Sequence, residues 1–148
     1  MTIRLISFDL DDTLWLNDGV IERAQLKMFE ALDTLLKLQN KQPAQMTHER
    51  WASFTQTVRD DHPELAHDMT ALRKQCISQY LSDQGFQDLE SVAQYTDHIF
   101  NALWQERIQV SPFETVKPIL SQLKKDFKIA ALTTVSYTHL TLPTTPYV

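Results

Sequence analysis

The chain's 148 residues, 43% of them apolar and 22% charged, suit one globular domain with its own core. A net charge of −5 with no long basic run argues against nucleic acid as a partner, and no stretch nears the roughly 18 apolar residues of a membrane span. Met1-Thr2-Ile3-Arg4 opens without an apolar segment of leader length, and the lone Cys76 has no internal disulfide partner, so a reduced, cytoplasmic setting is expected.

Ile3 to Phe8 predicts a strand buried on both faces, as in a parallel sheet, with Arg4 at its exposed start. Asp12 to Gly19 predicts a loop. Ile21, Ala24, Met28, Leu32 and Leu35 then follow the three-four spacing of one helix face. Leu26, Phe29 and Leu36 widen that stripe, which predicts burial on more than one side. Gln39 to Gln45, containing Pro43, is a connector. Thr47 can cap a second helix with Trp51, Phe54 and Val58 on its inner face. His62-Pro63 breaks that helix, and Pro63 can open a third, with Leu65, Met69, Leu72 and Cys76 on one face and Gly85 at its end. Asp88 can cap a fourth, with Val92, Tyr95, Ile99 and Leu103 inward. Four amphipathic helices in succession predict a bundle, with Trp51, Phe100 and Trp104 as core aromatics.

After Val110 the pattern changes. Ser111-Pro112-Phe113-Glu114 has the look of a capping box, but Pro118 would then fall too deep in the helix, so the start is placed near Thr115. Ile119, Leu120 and Leu123 are predicted inward, and Lys124-Lys125 suits the negative helix end. Phe127 to Thr133 is a second buried-strand candidate. A helix between two strands is the crossover that parallel pairing needs, and ligands of such sheets sit beyond the carboxyl ends of the strands. Asp9, Asp11 and Thr133 would gather there.

Asp9-Leu10-Asp11 is where chemistry is expected. Residues two apart on an extended chain face one side, so both carboxylates can address one ligand while Leu10 points back. Asp9, nearest the rigid strand, is the natural nucleophile for a phosphoryl group, and Asp11 can protonate the leaving oxygen and then deprotonate water. Two carboxylates repel a phosphate, so a divalent cation is required, and Mg²⁺ binds through one or two carboxylates plus phosphate. The Thr133 hydroxyl can hold a phosphate oxygen. Thr13 and Asp12 are read as loop-fixing residues, Trp15 as a side chain able to close over substrate. An isolated Asp-x-Asp is often only a cap or a solvated turn; its place after a buried strand makes this one specific.

Phe8-Asp9-Leu10-Asp11-Asp12-Thr13-Leu14-Trp15 resembles the first motif of the haloacid-dehalogenase-like hydrolase superfamily, and Ala130-Ala131-Leu132-Thr133 its second. The resemblance covers nearly all of Met1 to Thr133. It implies an α/β fold: a Rossmann-like parallel-sheet core, here truncated after the second strand, with an inserted helical cap. Residues 1–16 and 111–134 would be partial core and 17–110 the cap. It further implies a phosphatase of small-molecule phosphate esters. Asp9 would be nucleophile and Mg²⁺ ligand. Asp11 would be acid/base and metal ligand through its backbone carbonyl, and Leu10 and Thr133 would contact phosphate. Pro63 to Thr70, followed by Arg73, resembles a bacterial branch acting on flavin-pathway phosphates, in which His67 or Arg73 could reach substrate; a helix-start His–Asp pair and a solvated Arg is the plainer alternative.

The chain departs from the family after Thr133. The family's later Lys and acidic pair have no counterpart here, since Lys124, Lys125 and Lys128 precede the second motif, and Thr134 stands where Asn is frequent. Only two glycines, Gly19 and Gly85, are present, few for a complete doubly wound domain. Val135 to Val148 is dominated by Thr and Pro, and Val135 to Thr144 is similar to one reading frame of a transposase-type sequencing adapter. Residues 135–148 are thus expected to be non-native, with a native Thr/Pro-rich tail as the alternative. A haloacid dehalogenase of the same fold, a phosphorylated receiver domain and a non-catalytic fragment are the competing readings. Asp11 favours phosphate over halide, and the helical insert argues against a receiver domain.

Overall fold

The computed structural model describes residues 3–132. In chain order come strand β1 (Leu5–Phe8), helices α1 (Val20–Leu38), α2 (His48–Asp61), α3 (Met69–Asp83), α4 (Leu89–Arg107) and α5 (Val116–Leu123), and strand β2 (Lys128–Ala131). β1 and β2 pair in parallel, Leu5 opposite Lys128 and Phe8 opposite Ala131, as the crossover through α5 predicts. The Lys128 N–H donates to the Arg4 carbonyl and the Leu132 N–H to the Phe8 carbonyl, which extends the ladder by one bond at each end. The fold is thus α/β, with a short parallel sheet and a large helical segment between its strands.

The starts of α2, α3 and α4 each have a local cause. Thr47 Oγ1 accepts the Arg50 N–H at 3.2 Å, Asp68 Oδ1 accepts the N–H groups of Thr70 and Ala71, and Asp88 Oδ2 accepts that of Ser91 at 2.8 Å. The Ser91 bond also holds the Asp88 carboxyl below its ordinary range. α3 ends in a Schellman turn. The Gly85 N–H donates to the Ser82 carbonyl and the Phe86 N–H to that of Leu81, with Gly85 at φ 82°.

α1 packs along α4, α4 along α3, and α3 along α2, around Met28, Leu32, Leu36, Leu72, Ile77, Leu81 and Ile99. A run of rings, Phe29, Trp51, Phe54 and Tyr80, edge-to-face at its two ends and tilted between Trp51 and Phe54, ties α1 to α2 and α3. None of the described helices is long and apolar enough to cross a membrane.

Several expectations need correction. Pro63 does not open the third helix. Pro63–Leu65 forms a single 3-10 turn, and α3 begins only at Met69, where Asp68 supplies the cap. Leu26 is exposed, because α1 buries a single stripe and Leu26 lies off it. Trp104 is exposed too, stacked on Phe100 at the surface of α4 instead of in the core. Neither strand is buried on both faces: along β1, Leu5 and Ser7 are exposed and Ile6 and Phe8 only half-buried. β2 exposes Lys128 and Ala131, and Ile119 of α5 is exposed as well. Among the described residues the sheet has two strands, so each has one hydrogen-bonded neighbour and little to cover its faces. Thr133, Thr134 and the adapter-like segment lie outside the described residues.

Candidate active site

β1 ends at Phe8, and the chain turns sharply just beyond the acidic pair. The Leu10 carbonyl accepts the N–H groups of Thr13 and Leu14, the Asp12 N–H donates to the Trp15 carbonyl at 2.8 Å, and Asp12 takes φ 58°. That left-handed conformation is tolerated by Asp better than by most residues, and its Oδ1 repays it by accepting the Asn17 N–H at 2.9 Å. The expectation that Asp12 stabilises the loop therefore fits its contacts. Trp15 bridges to Asp11 on one side and Pro112 on the other, and the Phe113 N–H donates to the Leu14 carbonyl. The loop leaving β1 is thereby stitched to the segment that leaves α4.

The two acids occupy different environments. Asp9 is exposed, and no side-chain hydrogen bond reaches it among the described residues. Asp11 is four-fifths shielded, and both its oxygens are engaged: Trp15 Nε1 donates to Oδ1 and Arg107 Nη2 to Oδ2, each at 2.9 Å. Leu10 is half-buried between them. Trp15 thus borders the acids, though its indole N–H is directed at Asp11. A shallow groove lined by Leu16, Val20, Arg23, Pro112 and Phe113 opens beside this loop, and neither acid lies in its wall.

Sequence reasoning missed Arg107. In the last turn of α4 it reads as an ordinary cation at a negative helix end, and nothing local announces a contact 96 residues away. His67 is exposed. Arg73 is half-buried, which corrects the alternative of a solvated side chain: burial pushes its guanidinium below the ordinary range, and the nearby Arg107 charge adds to that. Oxygen donors available to a hard cation are the Asp9 carboxylate and the Asp11 carbonyl, neither of which takes a hydrogen bond among the described residues. No group of three or more His, Cys, Asp or Glu stands together among the described residues.

No family model matches the chain. The 5-amino-6-(5-phospho-D-ribitylamino)uracil phosphatase YigB of Escherichia coli strain K12 is 35% identical over 134 residues, which are 88% of this chain and 53% of YigB. The crystal structure of a 2-haloacid dehalogenase from Pseudomonas syringae pv. Tomato DC3000 superposes with a TM-score of 0.75 at 30% identity, over 89% of this chain and 55% of that one. The chain is haloacid-dehalogenase-like, in sequence and in fold. It spans about half the length of these relatives.

Proposed function

We propose that this sequence carries part of a Mg²⁺-dependent phosphatase that hydrolyses small-molecule phosphate monoesters through an aspartyl-phosphate. The observation that carries the reading is the parallel pairing of β1 with β2, which sets Asp9-Leu10-Asp11 just past the carboxyl end of β1. The likeness to a flavin-pathway phosphatase supports it and points to a phosphorylated ribityl or related compound as substrate class. In this reading residues 1–16 and 111–134 are core and 17–110 the cap.

Asp9, with its carboxylate free, attacks phosphorus, and the ester oxygen leaves with a proton from Asp11. Asp11 then takes a proton from water as that water attacks the aspartyl-phosphate, which returns Asp9. A bound Mg²⁺, held by the Asp9 carboxylate and the Asp11 carbonyl, would neutralise phosphate charge. Leu10 and Thr133 contact phosphate oxygens. Each Asp11 oxygen accepts one hydrogen bond and keeps a second lone pair for the proton it would carry.

Hydrolysis of para-nitrophenyl phosphate tests this. A protein of the relatives' length carrying these residues is expected to need Mg²⁺ and to lose at least about a hundredfold in kcat on Asp9→Asn or Asp11→Asn. Turnover that survives chelation and Asp9→Asn overturns the mechanism. The 148-residue chain is expected to turn over no faster than its own Asp9→Asn variant, since its sequence after Thr133 contains no Lys, Asp or Glu.

The likeness to a 2-haloacid dehalogenase favours a second reading, in which Asp9 displaces halide. Chloride release from 2-chloropropionate without phosphate release would choose it.

A further inference from the structure

The buried residues of α4 are Val92, Thr96, Ile99 and Leu103, one helix face. The next place on that face lies one turn beyond Leu103, and Arg107 holds it. A face packed along α1 and α3 thus ends in a guanidinium where its stripe would carry another apolar side chain. Arg107 Nη2 donates to Asp11 Oδ2 at 2.9 Å, with the two side chains 18% and 20% exposed. Trp15 Nε1 donates to the other oxygen, also at 2.9 Å. Trp15 is itself tied down by its bridge to Pro112 and by the Phe113 N–H donating to the Leu14 carbonyl.

A carboxylate held at one oxygen still turns about its Cβ–Cγ bond; a second donor on the other oxygen fixes its plane as well. Here the two donors come from separate elements, the loop after β1 and the last turn of α4. Asp9 is held by no side chain among the described residues. Shielding an ion pair adds little net stability, because desolvation offsets the attraction. A proton carrier, by contrast, has to be held within about 0.5 Å of its working position by side chains that packing locks. We propose that Arg107, with Trp15 as its counterpart, is a positioning residue for Asp11: the two donors set the carboxylate plane so that its remaining lone pairs face the phosphate ester. This rests on the phosphatase reading, in which Asp11 moves the proton. Arg107 acts through Asp11 and touches no reacting atom.

The 148-residue chain tests the grip. Its Trp15 Nε1–H resonance, assigned with Trp15→Phe, should shift in Arg107→Gln, while that of Trp51, buried in the bundle, stays in place and shows the helices intact. Arg23→Gln breaks the neighbouring 3.5 Å pair with Glu106 and should move Trp15 far less. A Trp15 resonance indifferent to Arg107→Gln overturns the proposal. A protein of the relatives' length tests the aim through kcat/KM, which reports the ester-cleaving half. Para-nitrophenolate leaves with little help; the alkoxide of propyl phosphate needs its proton. Arg107→Gln and Trp15→Phe should lower kcat/KM at least about thirtyfold for propyl phosphate and at most about threefold for the aryl ester, within what a placed proton donor contributes. Arg23→Gln should lower neither, and Arg107→Lys, which keeps charge and a donor if the Gln variant unfolds, should recover part of the alkyl-ester loss. With Asp11→Asn already present, Arg107→Gln should lower the rate no more than about twofold, because no acid remains to be aimed. Equal losses on the two esters, a gain on the alkyl ester, or a full loss in the Asp11→Asn background would sink this inference and leave the phosphatase reading standing. Hydrolysis indifferent to Asp9 and Asp11 would sink both.

Discussion

All the buried apolar side chains among the described residues lie between Val20 and Leu103; β1, α5 and β2 contribute none. Both regions were patterned for burial, and both formed the elements their patterns predict. The difference lies in where the partners come from. α1 to α4 complete one another's apolar stripes within a contiguous stretch of chain. A strand of a parallel sheet needs neighbours and covering layers from sequence-distant segments. β1 and β2 have each other and little else, which leaves Ile3, Leu5, Ile119 and Leu132 open to solvent. An apolar run thus reports that a strand will be covered in a finished sheet, whereas an amphipathic stripe nearly names its own partner.

Core truncations give the sharpest break in this comparison. Leu32→Ala or Ile77→Ala, at 1% and 0% exposure, should each lower stability by about 2–5 kcal/mol, measured by urea unfolding of the helical circular-dichroism signal. Ile6→Ala, half-buried in β1, should cost about 1 kcal/mol or less and leave the helical transition nearly where it was. Equal losses from Ile6 and Ile77 would show the strands and the bundle unfolding as one unit and erase the contrast.

Turn and cap substitutions sharpen it at smaller scale, since they strike helix ends and leave the packed interior alone. Gly85→Ala forces an L side chain to φ 82°, and the new Cβ would meet nothing closer than Lys41 Nζ at 3.6 Å. The cost should therefore be backbone strain alone, about 1–2 kcal/mol. Asp88→Ala removes the bond to Ser91 and should cost about 1 kcal/mol. A Gly85→Ala protein as stable as the parent would mean the Schellman turn does not hold α3 to its present length.

The same contrast sets what could be read in advance. The helices, the Thr47 and Asp88 caps, the Gly85 stop and the parallel pairing were legible because each rests on spacing or on a local side chain. Pro63 misled, because a proline that suits a helix start also suits a 3-10 turn, and Asp68 competes for the role of cap. Asp9 and Asp11 could be singled out as a pair, but not told apart by environment. What separates them is Arg107 on α4 and the Trp15 indole, and the first is a contact that only the folded chain creates. Arg73 misled for the same reason: it is half-buried only in the folded chain, which no pattern within α3 records.

The smallest expected effect is a pH dependence confined to the bundle. Cys76 is fully buried, and that burial pushes its thiol up from the ordinary 9.0, with the Thr55 hydroxyl and the Arg59 and Arg73 charges opposing in part. The folded chain therefore keeps the thiol proton at pH values where the unfolded chain releases it. This contribution is present in full below the unfolded thiol's value and is lost as pH rises through the folded one. The loss of stability in Cys76→Ala, taken from urea midpoints against the parent, should be larger at pH 7 than at pH 10. Tyrosines and lysines titrate alike in both proteins and cancel in the difference. A Cys76→Ala cost that stayed level from pH 7 to pH 10 would mean that the thiolate is tolerated where the core is packed, and the boundary between a dry bundle and a wet sheet would have to be redrawn through α3.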